Sequence, residues 1–261
     1  MLLAIDVGNT NIVGGVFKDA QLLSTFRIQT VPSRTEDEYA VIFGTVLANR
    51  GIACNSIERV ILSSVVPPLT STIAGMAKEL FQADPLILGP AVYPSLPIKV
   101  IAPEEIGTDL VANAVAAFER VRGACIVVDF GTALTFTALD ASGEIRGVAI
   151  APGLGSAVGS LSRDTAQLPR VPLECPPSAL GKNTVQAIQA GIVYGYIGMV
   201  EHLVRRISQE MAEEVKVVAT GGLCRVVSPH TKIFDVVEPN LTLYGLEAIA
   251  RIIRNTERIG G

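Results

Sequence analysis

An apolar strand ending in aspartate, one further residue and glycine occurs twice in this chain. The first copy is Ile5-Asp6-Val7-Gly8-Asn9; the second, Val128-Asp129-Phe130-Gly131-Thr132, lies 123 positions later, close to half of the 261 residues. Two copies of one folding unit would produce that spacing. Each copy is followed by a returning strand, Ile12 to Phe17 and Thr135 to Leu139, and then by strands and helices in similar order. In the first half a third strand is expected at Gln21 to Thr30 and a fourth at Arg59 to Val66, with short ones at Pro85 to Leu88 and Ile98 to Ile101. Helical spacing of apolar residues predicts helices over Thr35 to Arg50, Leu69 to Phe81 and Asp109 to Val121. In the second half it predicts Thr184 to Met211 and Leu241 to Asn255, with a strand at Val215 to Thr220. No Pro/Gly/Ser-rich linker separates the halves, so two tightly associated lobes are expected, residues 1–121 and 122–261.

Composition narrows the function classes. A chain that is 49% hydrophobic and 18% charged can bury a substantial core. A formal net charge of -4 without any Lys/Arg run argues against nucleic acid as a partner. Mean hydropathy is high at +0.45, yet Asp, Pro, Gly or Lys breaks every apolar stretch before the ~18 residues of a membrane span. No basic region precedes the first apolar strand, so we expect no export signal and a cytoplasmic protein. Cys54, Cys125, Cys175 and Cys224 are far apart, and only two histidines are present, which leaves neither zinc spacing nor a disulfide framework. Gly191, Gly195 and Gly198 interrupt the long helix, a spacing that suits a close helix neighbour or a homodimer contact.

The first turn, Asp6-Val7-Gly8-Asn9-Thr10-Asn11, has the chemistry of an anion site. Glycine admits a ligand close to the backbone, and N–H groups with Asn and Thr side chains supply donors. Asp6 would repel phosphate directly, so its expected role is to hold Mg2+ or a water of its shell. An ordinary hairpin turn uses the same residue types. Asp129 and Thr132 offer a second carboxylate and hydroxyl, and Ala219-Thr220-Gly221-Gly222 a flat turn against which a nucleoside could lie.

Two phosphate turns and a late Gly-Gly turn resemble the acetate and sugar kinase, Hsp70 and actin superfamily, which implies a duplicated ribonuclease H-like α/β fold with two lobes around a nucleotide cleft. Within it the chain resembles the type III pantothenate kinases along its whole length. DVGNTN, GTDLVANAVAA (Gly107 to Ala117), VVDFGTALTFT (Val127 to Thr137), IAPGLG (Ile150 to Gly155), TAQLPRV (Thr165 to Val171), GKNT (Gly181 to Thr184), ATGGL (Ala219 to Leu223) and PNLTLYGL (Pro239 to Leu246) follow in the family's order.

The resemblance implies ATP-dependent phosphorylation of pantothenate, the first step toward coenzyme A, by a homodimer. It implies that Asp6, Val7, Gly8, Asn9, Thr10, Asn11, Ile12 and Val13 form the ATP phosphate loop with Thr132 as a second contact. Asp129 would hold a monovalent cation, potassium or ammonium, and Asp109 would be the general base. Gly107, Thr108, Asp109, Leu110 and Thr184 would line the pantothenate pocket. An Asp at a helix start is also a preferred N-cap. The chain departs from the family at Thr108 and Leu110, where Ala and Arg are usual, and at Val100, where Tyr is usual. Loss of the Arg fork removes a partner for the pantothenate carboxylate; Lys99, Arg163 or Lys182 could replace it, and Tyr93 the ring. A same-fold kinase for another small hydroxy compound and a non-catalytic nucleotide-binding regulator are the rival readings. Gly181-Lys182-Asn183-Thr184 lacks the earlier P-loop glycine. Gly153-Leu154-Gly155 with Gly159 misses the dinucleotide spacing and is not expected to open a helix after a strand.

Overall fold

The computed structural model describes residues 1–164 and 168–260. They form two compact units, Met1–Ala116 with Thr242–Gly261, and Ala117–Leu241.

In the first unit β1 (Leu2–Val7), β2 (Asn11–Lys18) and β3 (Gln21–Gln29) form an antiparallel meander, and β4 (Arg59–Ser64) and β5 (Leu86–Ile87) add in parallel beyond β1. The sheet order is β3-β2-β1-β4-β5. Helix α1 (Glu36–Ala48) starts at a capping box in which Thr35 and Glu38 satisfy each other's backbone N–H groups. Helix α2 (Pro67–Phe81) carries its prolines in the first turn, where the absent N–H costs nothing. Both pack on the sheet face of Leu3, Ile5 and Val7, with Tyr39, Phe43, Leu69 and Ile73 in the same core. Asp6, Ser63 and Phe17 alternate onto the other face.

That other face meets α3 (Thr108–Val121) and α7 (Leu241–Gly260). Phe17 meets Tyr244 edge-on at 5.8 Å, and Thr242 Oγ1 donates to the fully buried Asn113 at 2.8 Å. A Cβ on Gly245 would collide with the carbonyl of Ala112, so glycine allows α7 to lie directly on α3. This contact places the C-terminal helix with the first unit. A division at 121/122, as read from the sequence, puts that helix in the second.

The second unit repeats the first. Strands β6 (Cys125–Phe130), β7 (Ala133–Leu139) and β8 (Ile145–Pro152) form the meander, β9 (Lys216–Thr220) and β10 (Val236–Val237) add in parallel, and the order is β10-β9-β6-β7-β8. Position by position β6 matches β1: each has four buried residues, then a half-buried aspartate, then a buried apolar residue. Helix α5 (Thr184–Met211), capped by Asn183, covers the face of Ile126, Val128 and Phe130, together with α4 (Leu154–Asp164) and the short α6 (Cys224–Val227).

The expected strand at Ile98–Ile101 is absent; only an isolated bridge occurs there, at Lys99. Conversely, Gly153 does follow a strand and α4 opens immediately after it, contrary to the sequence expectation. After the buried Ile145, strand β8 alternates exposed and half-buried residues, with an arginine at its second position, a weak apolar signal for periodicity to detect.

Candidate active site

In the first unit the candidate phosphate turn is the connection between β1 and β2. Strand pairing closes at Val7 and Ile12, leaving Gly8 to Asn11 as the connection, with Asn9 and Thr10 exposed. Gly8 N donates to Asn11 O at 3.0 Å. Thr30, at the end of β3, braces the turn: its Oγ1 donates to Gly8 O at 2.6 Å and its N–H to Thr10 O at 3.1 Å. Val7 and Ile12 are fully buried, so their only route to a ligand is the backbone. Asp6 is half-buried at the end of β1, and Ser63 Oγ of β4 donates to its Oδ1 at 2.9 Å.

The loop Gly107-Thr108-Asp109-Leu110 enters α3 beside that carboxylate. Thr108 Oγ1 lies 2.9 Å from Ser63 Oγ and accepts from Ser64 N at 3.2 Å. Asp109 Oδ1 accepts from Leu110 N at 2.8 Å, so the carboxylate rests on the helix N-terminus. Burial raises its pKa above the ordinary 3.8, only partly offset by the backbone N–H groups of Leu110 and Asp109. That direction suits a proton acceptor. Gly107 is needed because a Cβ there would stand 2.5 Å from Asp109 Oδ1. Leu110 is buried at 8% exposure and belongs to the packed base of the loop. Tyr93 is buried, and its hydroxyl has no hydrogen-bond partner among the described residues. Its pKa is raised by burial first, then by the charges of Asp109 and Glu104.

The second unit carries Asp129 at the position of Asp6. Its register partners are Thr135 on β7 and Thr220 on β9, all three side chains sharing a sheet face. Both threonine hydroxyls are buried and without hydrogen-bond partners among the described residues. A half-buried carboxylate beside two buried hydroxyl oxygens fits a monovalent cation, whose ligands are oxygen lone pairs. Gly221, at φ +88, clears the Asp129 carboxylate on that side, since a Cβ would strike Oδ1. Among the described residues no group of three or more His, Cys, Asp or Glu could cage a metal.

Thr132 sits in the second turn, where Gly153 N and Ser156 Oγ both donate to its carbonyl, at 3.2 and 3.0 Å. A Cβ on Gly153 would collide with that same carbonyl, so the start of α4 is fitted to the turn. Thr184 opens α5 and lines a cavity of about 580 Å3 with Lys182, Asn183, Leu161 and Leu168. Of the three cations weighed as substitutes for the missing arginine, Lys182 shares this cavity; Lys99 and Arg163 are exposed elsewhere. Thr165, Ala166 and Gln167 lie outside the described residues.

Residues 2–206 match the family model for type III pantothenate kinase. This chain belongs to the type III pantothenate kinase family. A type III pantothenate kinase of Myxococcus xanthus is 45% identical over 249 residues, covering 95% of this chain and 97% of the relative. Another, from Anaeromyxobacter dehalogenans, is 46% identical over 249 residues, covering 95% and 98%. Among solved structures, a Campylobacter jejuni protein assigned to the Baf family of transcriptional activators aligns with a TM-score of 0.62 at 16% identity, covering 97% of this chain and 99% of that one. MreB 5 of Spiroplasma citri bound to AMPPNP aligns at 0.56 and 10% identity, covering 100% and 98%. At such identities the structures establish the actin-like, sugar-kinase-like fold of this family member and nothing about its chemistry.

Ser63 and Thr30 brace the turn of the first unit without having stood out in the sequence, whereas Gly153, which the sequence singled out only as part of a failed dinucleotide spacing, is fitted to the turn of the second. Ser63 ends an apolar strand, Thr30 lies in a Thr-Val-Pro stretch, and the brace each makes is long-range. The only local hint was the glycine spacing around residue 153.

Proposed function

We infer that the chain phosphorylates pantothenate with ATP, forming 4'-phosphopantothenate in the first step of coenzyme A biosynthesis. As in kinases generally, ATP is used with a divalent metal. The observation that carries the residue assignment is the proximity of the two loops in the first unit. Ser63 contacts both Asp6, at the end of the phosphate turn, and Thr108, the residue before Asp109.

In this reading the turn from Asp6 to Val13 holds the nucleotide phosphates through backbone N–H groups and the Asn9 and Thr10 side chains, and Thr132 adds a contact from the second turn. Asp6 would hold Mg2+, which when bound neutralises charge on the transferring phosphoryl group. Asp109 accepts the proton of the pantothenate hydroxyl as that oxygen attacks the γ-phosphorus and the bond to the β–γ bridging oxygen breaks. Because the transition state is loose, alignment supplies most of the rate and the base a smaller part. Gly107, Thr108 and Leu110 are the acceptor-site residues of the first unit; Thr184 and Lys182, which line one cavity of the second unit, would give the substrate a hydroxyl and a cationic contact. Asp129 with Thr135 and Thr220 would hold a potassium or ammonium ion. The three glycines of α5 are exposed, with nothing described within 4 Å of an added Cβ, which supports a homodimer through that helix. No described helix is long and apolar enough to cross a membrane.

Burial of Leu110 favours one second reading, a preference for a different small hydroxy compound. Purified protein assayed for ADP release with pantothenate and with other hydroxy acids, in potassium and in sodium buffers, separates the two. Turnover of another alcohol with none of pantothenate would replace the substrate assignment.

A further inference from the structure

The hydroxyls of Ser63 and Thr108 form a chain whose direction can be derived. A carboxylate oxygen only accepts, so Ser63 commits its single proton to Asp6 Oδ1 at 2.9 Å. In the 2.9 Å contact between the two hydroxyls Thr108 must then be the donor. With that proton spent, Thr108 Oγ1 cannot also donate to Ser64 O at 3.3 Å; the compatible bond is the one it accepts from Ser64 N at 3.2 Å. The order is fixed: Ser64 N–H to Thr108, Thr108 to Ser63, Ser63 to Asp6. Bonds aligned in one sense polarise one another, and the last ends on a charged acceptor, where hydrogen bonds are strongest.

Three observations separate this chain from ordinary strand-to-helix packing. Ser63 is fully buried, so no water competes for its proton. Its counterpart in the second unit, Thr220, is paired in register with Asp129 as Ser63 is with Asp6. Yet the Thr220 hydroxyl has no hydrogen-bond partner among the described residues, so the fold does not produce the bond automatically. Finally, residues 101–105 leading into α3 are exposed, and at Thr108 the start of that helix is tied to β4.

Resting on the roles proposed above for Asp6 and Asp109, we propose that Ser63 and Thr108 are positioning residues: a one-way hydrogen-bond relay that holds the Asp6 carboxylate and the start of α3 in one geometry. Neither touches the reacting atoms. Ser63 sets the orientation in which Asp6 meets Mg2+ and phosphate, and Thr108 ties that orientation to the backbone that carries Asp109.

The test uses the full-length protein with Ser63→Ala, Ser63→Thr and Thr108→Ala. Mg2+-dependent binding of a non-hydrolysable ATP analogue is measured by calorimetry, alongside kcat and KM for pantothenate and Tm. Ser63→Ala is expected to weaken Mg2+-dependent analogue binding about tenfold and lower kcat about tenfold, with KM for pantothenate within about twofold. Thr108→Ala, which leaves the last bond in place, produces the smaller effect, about threefold on each. Ser63→Thr, which keeps a hydroxyl beside Thr108 and Asp6, restores both to within about threefold. Unchanged binding and kcat in Ser63→Ala would overturn the relay. A loss in Ser63→Ala that Ser63→Thr fails to restore would also overturn it. If the protein turned over no pantothenate, the substrate assignment would fall, while the Mg2+-dependent binding arm would still decide the relay.

Discussion

Substituting Gly107 by Ala perturbs the proposed base without touching it. An added Cβ would lie 2.5 Å from Asp109 Oδ1, and ordinary contact begins at 3.4 Å. The carboxylate must therefore retreat by roughly 1 Å, a misplacement that can cost about 100-fold in rate. Retreat also breaks the 2.8 Å bond from Leu110 N, worth about 1 kcal/mol, which in a chain of this size lowers Tm by only about 2–4 °C. Steady-state ADP release should accordingly show kcat down about 100-fold, KM for ATP nearly unchanged, and a protein that remains folded at the assay temperature. A Gly107→Ala enzyme with wild-type kcat would mean that the position of Asp109 does not govern the reaction. A kcat loss matched by collapse of Tm would mean that Gly107 serves the fold rather than the base.

Asp109→Asn should abolish measurable turnover, a loss of about 100-fold or more, while nucleotide binding measured by calorimetry persists; retained turnover would remove Asp109 from the mechanism. Burial raises the Asp109 pKa above 3.8, so the acid limb of kcat/KM should have its midpoint above that value. The same shift opposes folding at neutral pH, because the buried carboxylate prefers its proton. Asp109→Asn is therefore expected to raise Tm at pH 7, and the gain should vanish as pH falls through the folded pKa toward 3.8. Thr220→Val removes a buried hydroxyl with no described partner, so Tm should hold or rise while activation by potassium over sodium shrinks; undiminished activation would exclude Thr220 from the cation site. Gly245→Ala drives a methyl into the Ala112 carbonyl and should lower Tm by about 5 °C or more, as overpacking does; a wild-type Tm would contradict the close α3–α7 contact.

The duplication was legible because its signal is local. An apolar strand, Asp-x-Gly and a returning strand read the same in both halves, and the pairing of Asp6 with Val13 and Ser63 recurs as Asp129 with Thr135 and Thr220. Helices α1, α2, α3 and α5 followed from apolar spacing and caps within a few residues. What escaped was set by tertiary contact. Strand β8 alternates half-exposed residues and Ile98–Ile101 looks strand-like but finds only one bridge. The lodging of α7 on the first unit depends on a carbonyl 133 residues away in sequence, over which Gly245 leaves room. At the site, residue types named Asp6, Asp129 and Thr132, and the family resemblance named Asp109. The hydroxyls of Ser63 and Thr30 were invisible because serine and threonine at strand ends are common, and only the fold brings them to Asp6 and Gly8.

The most direct measurement incubates the purified protein with pantothenate, Mg-ATP and potassium and follows phosphorus resonances alongside the mass of the acceptor. A phosphomonoester on the pantothenate hydroxyl, formed in step with ADP and lost in Asp109→Asn, is the expected outcome. ADP formed with no phosphorylated pantothenate, or equal product from Asp109→Asn, would contradict it.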